Sequence, residues 1–183
     1  IQHRAEKVSK PDSIVEYSSE QFTKFTDILR GKNKKYIYKK ELIGSNGLAF
    51  TLRDARGKSI NLSLYKGKYI YIDVWATWCQ PCKEEYPFLT KLAKEYSEED
   101  LVILSISIDK EFDTWTKYLN KNKLDGAHLY TGADSEFVQF YDVGAIPRFI
   151  LIDRDGKVVN SDEIRPSNSE LKNYLDKLIQ KER

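Results

Sequence analysis

The two cysteines of this 183-residue chain, Cys79 and Cys82, are separated by only two residues. A pair at this spacing can close a small disulfide ring or open to a dithiol, so it can accept and release two electrons. Residues 69–75 before the pair, YIYIDVW, are typical of a buried strand, and residues 83–96 after it carry apolar side chains at helical intervals. A cysteine pair between a strand and a helix indicates a redox site.

The position of Cys79 at the start of the predicted helix suits a nucleophile. A free thiol titrates near ~8.5, and only the thiolate attacks a disulfide. Unpaired backbone N–H groups and the positive end of the helix dipole favour the thiolate at this position. Cys82, one turn further along, is then the resolving thiol. Pro81 fits the first turn, because the N–H that proline lacks is not needed there.

Two other uses of the cysteine pair are less favoured by the sequence. The only other soft ligands are His3 and His128, and neither has the spacing of a zinc finger, so no metal site is expected. A disulfide that closes so short a loop constrains little of the unfolded chain, which argues against a purely structural bridge. No bound cofactor is expected either.

The composition is that of a globular protein, with 40% hydrophobic and 13% aromatic residues. The net charge of +2 argues against a nucleic-acid partner, although residues 1–40 hold ten Lys/Arg against five Asp/Glu. The basic run at residues 32–40 is interpreted as a solvated connection, with a docking patch for an anionic partner as the alternative. No stretch reaches the ~18 apolar residues of a membrane span. The chain begins at Ile1 and lacks methionine, which is consistent with a removed signal peptide or lipid anchor.

The hydrophobic pattern predicts an amino-terminal extension and one α/β domain. The extension, residues 1–43, contains one predicted helix over about residues 14–30 and is also interpretable as the end of an upstream domain. The domain, residues 44–183, alternates strands with helices, which predicts a mixed sheet with helices on both faces. Its predicted strands lie at 50–53, 59–62, 69–76, 101–108, 127–130, 148–153 and 157–160, and its helices at 83–96, 111–122, 135–141 and after Ser167.

These motifs resemble the thioredoxin superfamily, specifically its TlpA/ResA-like extracytoplasmic branch. Residues 75–83, WATWCQPCK, are similar to the strand-to-helix signature of that family. The hairpin at 50–65 and the helix–strand insertion at about 111–130 are similar to features of the branch. The resemblance covers about residues 44–181 and implies a thioredoxin-like mixed sheet flanked by helices, with an amino-terminal β-hairpin and a central αβ insertion.

The resemblance implies how a partner protein would be bound. Ile146 and Pro147 match the cis-proline loop of the superfamily, which would lie beside the cysteines. That loop would leave the backbone of Ile146 free to pair with a substrate strand. Trp78, next to the nucleophile, is expected to cover the disulfide and to form part of the docking face. Arg148 is expected either to bring a positive charge to the groove, which would favour acidic partners, or to point to solvent.

Two acids are candidates for proton transfer. Asp73 matches a buried acid of thioredoxin that helps to move the proton of the resolving cysteine, because a carboxylate in apolar surroundings has a raised pKa. Glu85 matches an acid that tunes the pair in ResA-like proteins, and the neighbouring Glu84 is its natural control. His128 is interpreted as a surface or core histidine, since it is remote in sequence from the cysteines.

The sequence therefore predicts a thiol–disulfide oxidoreductase that reduces disulfides of partner proteins outside the cytoplasm, in the periplasm or anchored facing it. An electron-donor protein would have to reload it. A protein disulfide oxidase or isomerase is the alternative enzyme, and a copper-binding or assembly module is the non-enzymatic alternative. Copper-delivery relatives have three residues between their cysteines, and a peroxidase would need a hydroxyl where Ala76 stands.

Overall fold

The structure is a computed structural model that describes residues 42–96 and 100–181. The helix predicted over residues 14–30, and nearly all of the predicted extension, lie outside the described residues. The strands are β1 Thr51–Asp54, β2 Ser59–Asn61, β3 Tyr69–Trp75, β4 Leu101–Ser107, β5 Ala127–Tyr130, β6 Arg148–Ile152 and β7 Val158–Asn160. The α-helices are α1 Gln80–Glu95, α2 Phe112–Asn122, α3 Glu136–Phe140 and α4 Glu170–Lys181, and a 3-10 helix covers Leu62–Tyr65.

The strands form one mixed sheet in the order β2-β1-β5-β4-β3-β6-β7. The three strands β3, β4 and β5 run parallel, and the remaining pairs are antiparallel. Strand β5, from the predicted insertion, lies between β4 and the amino-terminal hairpin. The insertion therefore joins that hairpin to the parallel centre of the sheet.

Strand β3 is the longest strand that is buried throughout, with all seven of its residues buried. It pairs along its length with β4 and β6, and both of its faces are covered, which explains its nearly continuous apolar sequence. One face packs against α3 and the segment from Leu42 to Leu62. The other face packs against α1 and α4 near its start and against α2 near its end.

The predicted mixed α/β sheet flanked by helices is confirmed, and the ends of its elements differ slightly from the prediction. Helix α1 begins at Gln80, because Cys79 is its N-cap. Helix α3 is shorter than expected, because Ser135 caps it by accepting a hydrogen bond from the N–H of Val138. None of the helices within the described ranges is long and apolar enough to cross a membrane.

Candidate active site

The cysteine pair lies where β3 leads into α1. Cys79 and Cys82 form a disulfide with an S–S distance of 2.02 Å. Cys79 caps the helix in an extended conformation, and its Sγ accepts a hydrogen bond of 3.2 Å from the backbone N–H of Cys82. The first N–H groups of a helix have no partner within the helix, so here one of them can stabilise negative charge on the Cys79 sulfur. The geometry favours Cys79 as the nucleophile.

The loop between β3 and α1 is anchored by a buried carboxylate that the sequence did not point to. Asp109, at the end of β4, accepts hydrogen bonds from the backbone N–H of Thr77 at 3.0 Å and from its hydroxyl at 2.6 Å. The hydroxyl of Ser107 donates a third bond at 2.8 Å. Because Thr77 stands two residues before Cys79, Asp109 fixes the approach of the chain to the disulfide. An acid directly after a buried parallel strand was the only signal for it in the sequence.

Asp73 is buried in β3 behind the cysteine pair, with 3% of its surface exposed. The pKa of its carboxyl is raised to about 7: burial, the largest cause, raises it, a hydrogen bond with Ser105 lowers it, and the negative charge of Glu85 raises it. Its Oδ1 has no hydrogen-bond partner among residues 42–96 and 100–181. A buried carboxyl that titrates near neutrality can both accept and return a proton.

Asp73 and Cys82 line the same small cavity, which has a volume of about 70 Å³. Trp75, Ser105 and His128 also contribute to its wall. The cavity brings the buried acid and the predicted resolving cysteine to one partly open space. In the dithiol form, a water molecule in this cavity would connect the thiol of Cys82 with the carboxyl of Asp73.

Glu85 is buried on α1, but its hydrogen bonds lead away from the cysteines. Its two carboxylate oxygens accept bonds of 2.9 Å from the backbone N–H and the hydroxyl of Ser167. The guanidinium of Arg165 lies 3.7 Å from the same carboxylate. Glu85 thus holds the segment before α4, and it reaches the site through its charge, which raises the pKa of Asp73. Glu84, one residue earlier, is exposed.

The loop before β6 lies beside the cysteine pair. The peptide bond between Ile146 and Pro147 is cis. The half-buried side chain of Ile146 packs against the cluster that contains both cysteines and Trp75. Trp78 is 67% exposed, whereas Cys79 and Cys82 are both almost completely buried. The structure therefore brings together the cysteines and the predicted substrate loop, with an exposed indole next to the nucleophile.

Both expectations for Arg148 are wrong, since its side chain neither faces the groove nor points to solvent. It is 4% exposed. Its Nε–H donates to the carbonyl of Ser161, and its Nη2 donates to the carbonyl of Tyr141 at 3.3 Å. The carboxylate of Asp162 lies 3.8 Å from Nε. The cation is turned inward because these carbonyls satisfy its donors, so it anchors the end of the Pro147 loop.

His128 lies close to the site despite its distance in sequence. Its ring packs near Trp75, with 6.2 Å between ring centroids, and near Tyr86, at 6.4 Å. Burial lowers the pKa of its imidazole. Within the part of the chain that the structure describes, no group of three or more His, Cys, Asp or Glu side chains could hold a metal ion. The register of β5 next to β4 places His128 here, and the sequence could not reveal that register.

A disulfide at the start of a helix, with an amide directed at one sulfur and an acid behind the other, is suited to thiol–disulfide exchange. The sheet that carries it has the thioredoxin-like arrangement, so fold and site together define a thioredoxin-like thiol–disulfide oxidoreductase. The chain belongs to the Redoxin family, which it matches over residues 43–178. The predicted family and enzyme class are confirmed.

Relatives and solved structures agree with this class. The chain is similar to the thiol-disulfide oxidoreductase ResA of Bacillus thuringiensis subsp. konkukian, with 32% identity over 136 residues, which cover 74% of this chain and 78% of that protein. A solution structure of a proposed thiol-disulfide oxidoreductase from Bacteroides vulgatus is 42% identical with a TM-score of 0.66, covering 72% of this chain and 86% of that one. The thioredoxin domain of another Bacteroides vulgatus thiol-disulfide oxidoreductase is 29% identical with a TM-score of 0.65. The match covers 75% of this chain and 97% of that one.

The raised pKa of Asp73 predicts a specific dependence of stability on pH. Folding moves this pKa from 3.8 to about 7, so the folded state binds the proton more tightly than the unfolded state. The stabilisation from the neutral carboxyl is complete below about pH 4 and is lost as the pH rises through about 7. Asp73→Asn, which stays neutral, should therefore gain free energy of unfolding relative to the wild type at alkaline pH, by at most about 4 kcal/mol.

Urea unfolding of the oxidised protein at about pH 5 and about pH 8.5 measures this effect. The gap between Asp73→Asn and the wild type should be larger by about 2 to 3 kcal/mol at the higher pH. Glu84→Gln, which removes an exposed carboxylate from α1, should show no such change. Equal gaps at the two pH values would contradict the raised pKa of Asp73.

Proposed function

We propose that this oxidoreductase reduces disulfides of partner proteins outside the cytoplasm and is returned to the dithiol by an electron-donor protein. The main support for this proposal is that the two cysteines have different surroundings. The sulfur of Cys79 receives the N–H of Cys82, whereas Cys82 shares a cavity with Asp73, whose pKa is about 7. One cysteine is thus suited to attack, and the other to lose its proton at neutral pH.

The proposed exchange has two steps. The thiolate of Cys79 attacks one sulfur of the partner's disulfide, a mixed disulfide forms, and the partner's other sulfur leaves with the electron pair. Asp73 then takes the proton of Cys82, whose thiolate attacks the sulfur of Cys79. The Cys79–Cys82 bond forms, and the partner's second sulfur leaves and is protonated, so the partner gains two electrons. An electron-donor protein with its own dithiol then reduces the Cys79–Cys82 disulfide by the same two steps in reverse.

The loop beside the cysteines is proposed to hold the partner. None of the hydrogen bonds made outside helices and strands in the described ranges uses the backbone of Ile146, which supports its role as an acceptor of an added substrate strand. Pro147 would hold that backbone beside the disulfide. Trp78, with its exposed indole, would supply the apolar contact on the other side of the nucleophile.

The direction and the compartment are proposed from the resemblance to the TlpA/ResA-like extracytoplasmic branch. The hairpin of β1 and β2, together with the insertion of α2 and β5, supports that resemblance, because both features are present and are joined in one sheet. An oxidase or isomerase would use the same two cysteines with the opposite net flow of electrons. The reduction potential therefore decides between these activities.

The first prediction of the proposal concerns the order in which the cysteines act. Reduced Cys82→Ser, mixed with insulin, should accumulate a covalent adduct on Cys79, because no resolving thiolate is present. Cys79→Ser should form little adduct, because the nucleophile is lost. The wild type should reduce insulin without a lasting adduct.

Mass spectrometry of the acid-quenched mixtures measures the adducts. The two cysteines are matched controls for each other, since both substitutions are equally conservative. Failure of the wild type to reduce insulin would contradict the reductase activity. An adduct on Cys79→Ser but not on Cys82→Ser would reverse the assigned roles.

The second prediction concerns direction. Equilibration of the Cys79–Cys82 pair with glutathione or dithiothreitol should give a reduction potential closer to thioredoxin, at about −270 mV, than to the strong oxidant DsbA, at about −120 mV. A value near the latter would favour the oxidase alternative and overturn the reductive direction.

The third prediction concerns Glu85, which we propose to act on the site through Asp73. Glu85→Gln removes the negative charge that raises the pKa of Asp73, so the resolving step should reach half its maximal rate at a pH several tenths of a unit lower. A chromogenic aromatic disulfide resolves the steps, because attack by Cys79 releases one coloured thiolate and resolution by Cys82 releases the second. Glu84→Gln is the matched control and should leave the pH profile unchanged. An equal shift in both variants would exclude a particular role for Glu85.

A further inference from the structure

Three polar residues form a row across the parallel strands. Asp73 of β3 is paired with Ser105 of β4, and Ser105 is paired with His128 of β5. Paired residues in neighbouring strands share one face of the sheet, so all three lie on the face that carries the cavity. The strand spacing puts the backbones of Asp73 and His128 about 10 Å apart. Both side chains line the cavity together with Cys82.

The tautomer of His128 follows from its hydrogen bond. Its Nε2 lies 3.0 Å from the backbone carbonyl oxygen of Asp125. A carbonyl only accepts, so Nε2 carries the hydrogen and Nδ1 keeps its lone pair in the neutral ring. Burial lowers the pKa of His128, which favours this neutral form at pH 7. The lone pair of Nδ1 can accept a proton, although burial makes this imidazole a weaker base than an exposed one.

Three residues of the cavity wall each carry a buried polar atom without a partner in the described part of the chain, and one of these atoms is the indole Nε1 of Trp75, which only donates. Neither Nδ1 of His128 nor Oδ1 of Asp73 has a hydrogen bond within the described part of the chain. Buried polar atoms are rarely left unpaired, and ordered water commonly satisfies them. A cavity of about 70 Å³ has room for one or two water molecules. Such a water would link the two atoms, which make no direct hydrogen bond with each other.

Two of the groups around the ring are already engaged. The hydroxyl of Tyr86 is bonded to the backbone of Asp125, at 3.1 Å from its oxygen and 2.8 Å from its nitrogen. The Nζ of Lys83 lies over the ring of Tyr118, at 5.1 Å. The charged and titratable groups that line the two pockets bordered by His128 are Asp73, Cys82, Lys83, Tyr86 and Tyr118 in the small cavity, and Asp54, Arg56, Tyr65, Lys123 and Asp125 in the wider one.

We propose that His128 is a positioning residue for the resolving step, taking up through a cavity water the proton that Asp73 receives from Cys82. This inference rests on the proposed function. The S–H bond of Cys82 breaks, and its proton passes to Asp73 and then to Nδ1 of His128. The thiolate of Cys82 forms the bond to Cys79, and the partner's sulfur leaves with the electron pair. The imidazolium finally gives the proton to solvent, and Asp73 is ready for another proton.

The consequence is that Asp73 works as a base at a lower pH than it would alone. When His128 holds the proton, Asp73 is anionic even where the isolated carboxyl would be protonated. Loss of the imidazole should therefore slow the resolving step at acid pH and leave it nearly unchanged at alkaline pH, where Asp73 is ionised in any case. If His128 had only a structural role, its loss would slow the resolving step equally at acid and at alkaline pH.

His128→Gln tests this, because a glutamine can still donate to the carbonyl of Asp125 but offers no base. With the chromogenic aromatic disulfide, release of the second thiolate should slow about fivefold or more at about pH 6 and less than about twofold at about pH 9. Tyr118→Phe changes the same cavity wall without removing a proton acceptor, and it should follow the wild type. Equal slowing at both pH values, or none, would overturn the proposal. If the wild type fails to release even the first thiolate, the proposed function itself is wrong.

A second measurement is independent of activity and of the folding of His128→Gln. His3 is the only other histidine, so the ring proton of His128 can be followed in NMR titrations of the oxidised protein. Asp73→Asn should lower the midpoint of His128 by about half a pH unit, because asparagine cannot take the anionic form that pairs with the imidazolium when the proton passes from Asp73 to His128. Glu84→Gln should leave the midpoint unchanged. An unchanged midpoint in Asp73→Asn would show that the two groups are not coupled and would overturn the proposal.

Discussion

A carboxylate inside a strand that is buried along its whole length is the constraint on which this site depends. Strand β3 is buried on both faces, and Asp73 is its only charged residue. Keeping an ionised group there is unfavourable, and that same unfavourable free energy makes the carboxyl a base near neutrality. The apolar packing on either side of β3 therefore has two functions, since it stabilises the fold and also sets the proton affinity of Asp73.

Two further buried charges fix the segments that meet at the disulfide. Asp109 uses its oxygens on Thr77 and Ser107, so it holds the segment that enters α1. Arg148 uses its donors on two carbonyls, so it holds the segment that follows Pro147. Each charge is satisfied by polar groups of the chain, as buried charges must be. The cysteines are thus positioned by hydrogen bonds that involve neither sulfur.

The parts of the site that the sequence predicted are those determined by neighbouring residues. The strand, the helix and the two cysteines between them follow one another along the chain, so local patterns sufficed. The sheet as a whole was also predictable, because alternating strands and helices leave few arrangements. The contacts that the sequence could not reveal are those between segments that are distant in the chain. His128 reaches the cavity only because β5 pairs with β4, and the bonds of Glu85 are made with Ser167, 82 residues away.

Arg148 points inward and anchors the Pro147 loop, which is proposed to hold a partner. A different group, Asp73, is proposed to set how fast the partner reacts. The two hydrogen bonds of Arg148 that anchor the Pro147 loop are made with backbone carbonyls, which do not titrate, so these bonds do not respond to acidity. Asp73, on the neighbouring strand, titrates near neutrality. With the roles proposed for Pro147 and Asp73, an acidified compartment would leave the Pro147 loop in place while it slows the exchange. In such conditions the protein would bind its partner but turn it over slowly.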